Sequence, residues 1–138
     1  QYDEILQYAS QKGALGILCL ESIHGLSYSI KAAVNYLNTL EKPFRMIFMV
    51  ADQPYISMNT IDKLMHTKYK LASCAYKDKV GNPTLFDSSY IPELLLLKED
   101  QGGRKVLNKH PDEVEYIQVE NIRELYDIDY QEDLKQLQ

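Results

Sequence analysis

A chain of 138 residues with 45% hydrophobic content can bury one substantial core, and it is read as a single domain over residues 1–138. Its net charge of −5 and its lack of any Lys or Arg run exclude a continuous basic face, so no nucleic acid and no membrane surface is expected as a partner, while local sites for small anionic ligands remain open. No apolar stretch reaches the roughly 20 residues that span a bilayer and no charged-then-apolar leader opens the sequence, which predicts a cytoplasmic protein.

Along the chain, Ile5, Leu6 and Ala9 mark one face of a helix that Gly13 can terminate, and Ala14 to Leu20 reads as a buried strand. Ser27 is placed to cap a helix whose apolar positions Ile30, Ala33, Val34, Leu37 and Leu40 keep the helical period, with Pro43 closing it. The run Phe44 to Val50 is apolar enough for a strand buried on both faces. It ends abruptly in Ala51-Asp52-Gln53-Pro54. Ile61, Leu64 and Met65 predict a helix starting near Ser57, and Leu71 to Tyr76 the next strand. Beyond it, a turn around Asp78 and Gly81 leads to Pro83-Thr84-Leu85-Phe86. Ser88 or Ser89 introduces a short helix with Ile91, Leu94, Leu95 and Leu97, and the Leu94 to Leu97 run reads as core. Gly102-Gly103 opens another helix, Val114 to Val119 alternates like a strand, and a last helix after Asp129 contains Leu134 and Leu137. The alternation of helix and strand predicts an α/β fold with a mostly parallel sheet flanked by helices. Cys19 and Cys74, both in apolar runs, are read as buried, inert thiols.

Three polar clusters ask for a common explanation: His24 to Ser29, Asp52, and Asp127-Ile128-Asp129. A parallel sheet holds its ligands just beyond the carboxyl ends of its strands, which is where Asp52 is expected, although a turn or cap role would also place an acid there. Gly25 and Ser27 at a helix start offer free N–H groups to oxygen-rich ligand groups, with a simple N-cap as the alternative. Carboxylates from two separate loops can hold Mg²⁺ while phosphates and water complete its octahedron. His24, His66 and His110 have no metal-ligand spacing and are read as surface or loop residues.

Five blocks, in order, resemble the molybdenum cofactor cytidylyltransferases among the MobA-like nucleotidyltransferases: Gly25 to Lys31, Val50 to Tyr55, Gly81 to Phe86, Gly102 to Leu107, and Asp127 to Asp129 with Glu132-Asp133-Leu134. The resemblance runs from about Ala14 to Leu134 and implies a Rossmann-like, GT-A-like nucleotidyltransferase fold. It implies an enzyme that transfers CMP from CTP to molybdopterin-bound cofactor and releases pyrophosphate. Carried over position by position, Asp52 and Asp129 become catalytic Mg²⁺ ligands, and Gly25, Leu26 and Ser27 lie against base and ribose. Gly81, Asn82 and Pro83 belong to the acceptor side, and Arg104 meets a phosphate.

The family opens with a strand into a Leu-Ala-Ala-Gly loop, an Arg-Met-Gly turn and a lysine that cradle the triphosphate. None of these occurs in the 138 residues, so the chain is expected to be an N-terminally incomplete form with weak or no transfer activity and an incomplete sheet edge through which it could self-associate. Tyr130-Gln131 also replaces the family's Thr-Pro after the Ile-Asp pair. The alternatives are a nucleotidyltransferase using GTP or another acceptor, a non-catalytic molybdopterin-binding accessory to a molybdenum hydroxylase, and a structural α/β domain without ligand.

Overall fold

Residues 71–76 contain no charge and no turn former, and they form a strand in which all but the last residue are buried. The computed structural model describes residues 3–133 and 135. In chain order its elements are α1 (Asp3–Gln11), α2 (Leu26–Asn38), β1 (Arg45–Phe48), α3 (Met58–His66), β2 (Leu71–Tyr76), β3 (Lys79–Asp87), α4 (Ile91–Leu95), α5 (Arg104–Leu107) and β4 (Val114–Gln118). Short 3-10 turns lie at Leu20–His24, Ser88–Tyr90, Pro111–Glu113 and Ile122–Leu125. The predicted last helix with Leu134 and Leu137 falls on residues outside those described. Two compact units result, Gln1–Lys42 with Ile91–Val106 and Pro43–Tyr90 with Leu107–Gln138.

The second unit carries the four-stranded sheet, in the order β1-β3-β2-β4. The α/β class holds, but the sheet is mixed rather than mostly parallel: β3 runs antiparallel to both β1 and β2, and only β2 and β4 are parallel. The cause is a hairpin. Its turn falls at Lys77-Asp78, where Lys77 adopts a φ of 53°, so Gly81 lies within β3 instead of in the turn expected of it. Proline is unwelcome in a strand paired on both sides, and β3 resolves this with a bulge. Cys74 pairs with Gly81 but Ser73 pairs with Thr84, and the β1 pairing begins only at Thr84. Asn82 and Pro83 therefore belong to neither ladder, and the N–H that proline lacks is not needed. The peptide between them is cis.

One face of this sheet is covered by α3, whose Leu64 joins Ala72, Cys74, Leu85, Ile117, Val119 and Leu125 in a continuous buried cluster. The helix starts where the sequence predicts. Ser57 is its N-cap, and its Oγ accepts the Thr60 N–H at 3.1 Å. The strand expected from Phe44 to Asp52 is shorter than its apolar composition suggests. β1 ends at Phe48 on the sheet edge, and Met49 and Val50 are exposed. Among the described residues β1 has one strand neighbour, so one of its backbone edges is unpaired.

In the first unit, α1 is capped as read from the sequence, with Gly13 at φ 81° and the Ala14 N–H returning to Ala9 O at 3.0 Å. Residues 14–20, predicted as a buried strand, form none: 14–19 have no regular structure, Leu20 opens a 3-10 turn, and Leu15, Leu18 and Leu20 are exposed. Hydrophobicity states a preference for burial, but a strand forms only against a pairing partner, and the described residues pair none with it. Cys19, accordingly, is half-buried rather than buried, whereas Cys74 is buried and its thiol is pushed up to about 12 by burial and by the neighbouring Glu124 carboxylate. α2 packs on α4, and Val34 of the one and Leu94 of the other are both fully buried.

The N-cap of α2 lies two residues earlier than expected, at Gly25 and not Ser27. Gly25 has φ 125° and ψ 169°, a conformation open almost only to glycine, and a Cβ there would come within 2.3 Å of the Glu99 carbonyl carbon. The Ser27 N–H is taken by Glu99 O at 2.9 Å. Gly25→Ala is expected to cost about 1–3 kcal/mol from backbone strain alone, read as a lower urea midpoint at unchanged slope.

Candidate active site

Between β1 and α3 the chain runs irregularly through Met49 to Ser57, and this loop presents Asp52 to solvent. Beside it lies the segment that follows the 3-10 turn Ile122–Leu125. The Ile128 N–H donates to the Asp52 carbonyl at 2.8 Å, and Gln53 Nε2 donates to Asp127 Oδ1 at 2.8 Å. Two acid-bearing loops that are remote in sequence are thus joined at the backbone, with Asp129 one residue beyond the joint. Both Asp52 and Asp129 are exposed. Gln53 has its amide orientation set by the carboxylate of Asp127, because a flipped amide would turn its oxygen toward an acceptor. Its Oε1 is then left buried with no hydrogen-bond partner among the described residues.

This donor set fits a small hard cation. It offers carboxylate oxygens on adjoining loops. Among the described residues no three His, Cys, Asp or Glu side chains converge on one point, so any such ion would complete its shell with water and ligand oxygens. Asp129, but not Asp52, also lines a cavity of about 300 Å³ together with Tyr55, Lys79, Tyr126, Asp127 and Asp133. Lys79 Nζ sits 5.5 Å over the Tyr126 ring and donates to Leu125 O at 3.3 Å, which holds a positive charge at the rim of an acidic cleft. Arg123 stacks on Tyr55 at 4.5 Å.

Of the other predicted residues, Gly81, Asn82 and Pro83 lie at the bulge of β3, in the same unit as the two acids, with Pro83 fully buried and Gly81 O accepting from Ser73 Oγ at 2.8 Å. Gly25, Leu26, Ser27 and Arg104 belong to the first unit. Leu26 is exposed, while Ser27 is wholly buried and its Oγ has no partner among the described residues. His66 and His110 pair with Asp62 and Glu113 at 3.2 Å each, in keeping with surface roles.

A model of the MobA-like NTP transferase domain matches residues 1–114, most of the chain. The chain belongs to the MobA-like NTP transferase family. The match ends before Asp127 to Asp129, and that segment meets the matched region through the Ile128 N–H to the Asp52 carbonyl and through Gln53 Nε2 to Asp127 Oδ1. No curated protein matches the chain significantly. Three solved structures share its fold. A homologue, from Mycobacterium sp. strain JC1, of Mycobacterium tuberculosis Rv0371c is 22% identical over 82% of this chain and 56% of that one, with a TM-score of 0.63. Rv0371c of M. tuberculosis H37Rv is 25% identical over 67% and 48%, with a TM-score of 0.58. Its complex with manganese is 24% identical over 67% and 50%, with a TM-score of 0.56. This MobA-like chain therefore spans about half the length of the solved structures it resembles.

Sequence reading missed Tyr55, Lys79, Tyr126 and Glu124. Lys79 was accessible in principle: it lies two residues before Gly81 and so shares its side of β3, once the hairpin turn is placed at Lys77-Asp78. Glu124 was not, because nothing in a sequence marks an acid of a polar turn as buried. It is 4% exposed. Burial pushes the Glu124 carboxyl up, but the Thr60 hydroxyl and the Ser57 and Asn121 backbone groups together hold it below the ordinary range. A folded-state value below the unfolded one contributes stability above the unfolded value and loses it as pH falls through the folded value. Unfolding midpoints taken from pH 6 down to pH 3 are expected to fall more steeply for the native chain than for Glu124→Gln, with parallel profiles as the contrary result.

Proposed function

We propose that this chain carries the metal and acceptor side of a nucleotidyltransferase that moves CMP from CTP to the phosphate of molybdopterin-bound cofactor, releasing pyrophosphate. The observation that carries the reading is the backbone joint between the Asp52 loop and the Asp129 segment, on a chain of the MobA-like NTP transferase family. In this reading Asp52 and Asp129 hold a divalent cation, Mg²⁺ in the cell. Support for such an ion comes from the oxygen donor set here and from Rv0371c, whose solved complex contains manganese. When bound, the ion neutralises charge on the triphosphate and on the departing pyrophosphate.

The residues of the chain then have distinct tasks. Gly25 and Leu26 bear on base and ribose, with Ser27 in the turn behind them. Gly81, at the end of a ladder pair with Cys74, and Asn82 and Pro83, in the bulge that neither ladder constrains, shape the acceptor side, and Arg104 meets a phosphate oxygen. One phosphate oxygen of the acceptor attacks the α-phosphorus in line, the bond to the β-phosphate oxygen breaks, and pyrophosphate leaves with that electron pair. Positioning and charge compensation supply the catalysis, since phosphoryl-type transfer asks little covalent chemistry of a protein.

The test is transfer of label from α-³²P-labelled CTP to molybdopterin-bound cofactor in the presence of Mg²⁺, with ATP, GTP and UTP in parallel. Labelled cofactor from CTP in excess of the other three supports the reading. Preference for GTP would redirect it to another nucleotide, and binding of the cofactor without transfer would make the protein an accessory.

A further inference from the structure

A carboxylate that is 4% exposed is costly unless its oxygens are occupied, and Glu124 is fully engaged. Its Oε2 accepts the Thr60 hydroxyl at 2.6 Å and the Ser57 N–H at 3.0 Å, and its Oε1 accepts the Glu120 N–H at 3.3 Å. The Ser57 hydroxyl donates onward to Thr60 Oγ1 at 3.1 Å. All of this lies at the first turn of α3, where the helix dipole favours a negative charge. Capping is not a sufficient account of it. Ser57 already supplies the N-cap bond to Thr60 N–H, so the carboxylate adds something other than a helix start.

What it adds is a clamp. Ser57 ends the loop that carries Asp52, and Glu124 stands just before the segment that carries Asp129. Clamp and acid are five positions apart on each side. At the acid end the two segments are joined again by the Ile128 N–H to the Asp52 carbonyl. Two loops tied at both ends form a closed circuit in which the separation of the acids has little freedom. At the acid end the ties are this backbone bond and the exposed bond from Gln53 Nε2 to Asp127 Oδ1, whereas the other end is held by the buried Glu124. An exposed bond competes with water, whereas the charge-assisted bonds of a buried carboxylate do so far less.

We infer that Glu124 is the positioning residue that sets the spacing of Asp52 and Asp129 for a divalent cation. This rests on the metal reading given above. Loss of residues that orient metal ligands characteristically weakens binding about 10- to 100-fold.

The experiment titrates the full chain with Mn²⁺ alone, following free Mn²⁺ by electron paramagnetic resonance at a temperature where circular dichroism shows each variant folded. Glu124→Gln is expected to bind Mn²⁺ at least about tenfold more weakly than the native chain. Thr60→Val, which removes one donor to the carboxylate while keeping the side-chain shape, should weaken binding in the same direction, and Thr60→Ser, which restores the hydroxyl, should return it to the native level. If Glu124→Gln does not fold, the Thr60 pair decides. Native affinity in Glu124→Gln and Thr60→Val together with a lowered unfolding temperature would make Glu124 a merely structural residue and overturn the inference. Absence of Mn²⁺ binding by the native chain would instead overturn the metal reading beneath it.

Discussion

On the proposed reading, in which Asp52 holds the cation that offsets phosphate charge, Asp52→Asn is expected to reduce whatever nucleotidyl transfer the chain supports by about 10²- to 10³-fold, the characteristic cost of weakening one preorganised source of charge stabilisation in a transition state. The substitution keeps the shape of the side chain and deletes its charge. Asp52 is exposed on the loop after β1, and the bond that its residue makes to the Ile128 N–H uses the backbone carbonyl, which asparagine retains. Stability should therefore move by no more than about 0.5 kcal/mol, as for surface substitutions generally. The check is a paired measurement of label transfer and urea midpoint. Loss of transfer at an unchanged midpoint is the expected result, and full transfer would remove Asp52 from the site.

The largest effect on stability is expected at Phe86. Its ring is wholly buried, its centroid lies 5.1 Å from that of Phe48, and its backbone pairs with Met46 of β1 on one side and Leu71 of β2 on the other. Truncation of a core phenylalanine to alanine costs about 3–5 kcal/mol through lost transfer energy and the cavity left behind. With total stabilities of about 5–15 kcal/mol usual for domains, Phe86→Ala should remove a large share of it. At a urea slope of roughly 2 kcal/mol per molar the midpoint should fall by about 2 M. Leu96→Ala offers the contrast, since Leu96 is 69% exposed and should change little. Equal effects at the two positions would mean that β3 is not the central strand.

How much of this was legible follows from where each signal is local. α3 was readable because everything it needs is written within ten residues: the Ser57 cap, the apolar period of Ile61, Leu64 and Met65, and no helix breaker. β2 was readable for a similar reason, as a short uncharged run ending at a turn. The direction of the strands was not. It turns on whether the connection after Tyr76 is a two-residue turn or a longer excursion, and the Gly81 and Asn82-Pro83 signals drew the turn forward by three residues. The bulge that absorbs Pro83 is a property of the pairing with β2, visible only once both strands are placed. The segment at residues 14–19 shows the converse, a strand composition without a partner. Asp52 draws attention in the sequence because an acid closing an apolar run is unusual, and Asp129 because the final block of the resembled family contains it; their roles remain part of the proposal. Their backbone joint, the cavity with Lys79 beside it and the buried Glu124 depend on contacts between residues more than forty positions apart, to which no local pattern points.

The central claim is that a divalent cation is held between the loop of Asp52 and the segment of Asp129. Paramagnetic broadening locates such an ion directly: Mn²⁺ is added in small fractions to the ¹⁵N-labelled chain and the loss of each backbone amide signal is followed. The amides of residues 51–53 and 127–129 should disappear first, and an excess of Mg²⁺ should restore them. Broadening that begins elsewhere, for instance around the exposed acids Asp112 and Glu113, with residues 51–53 and 127–129 unaffected, would contradict the account.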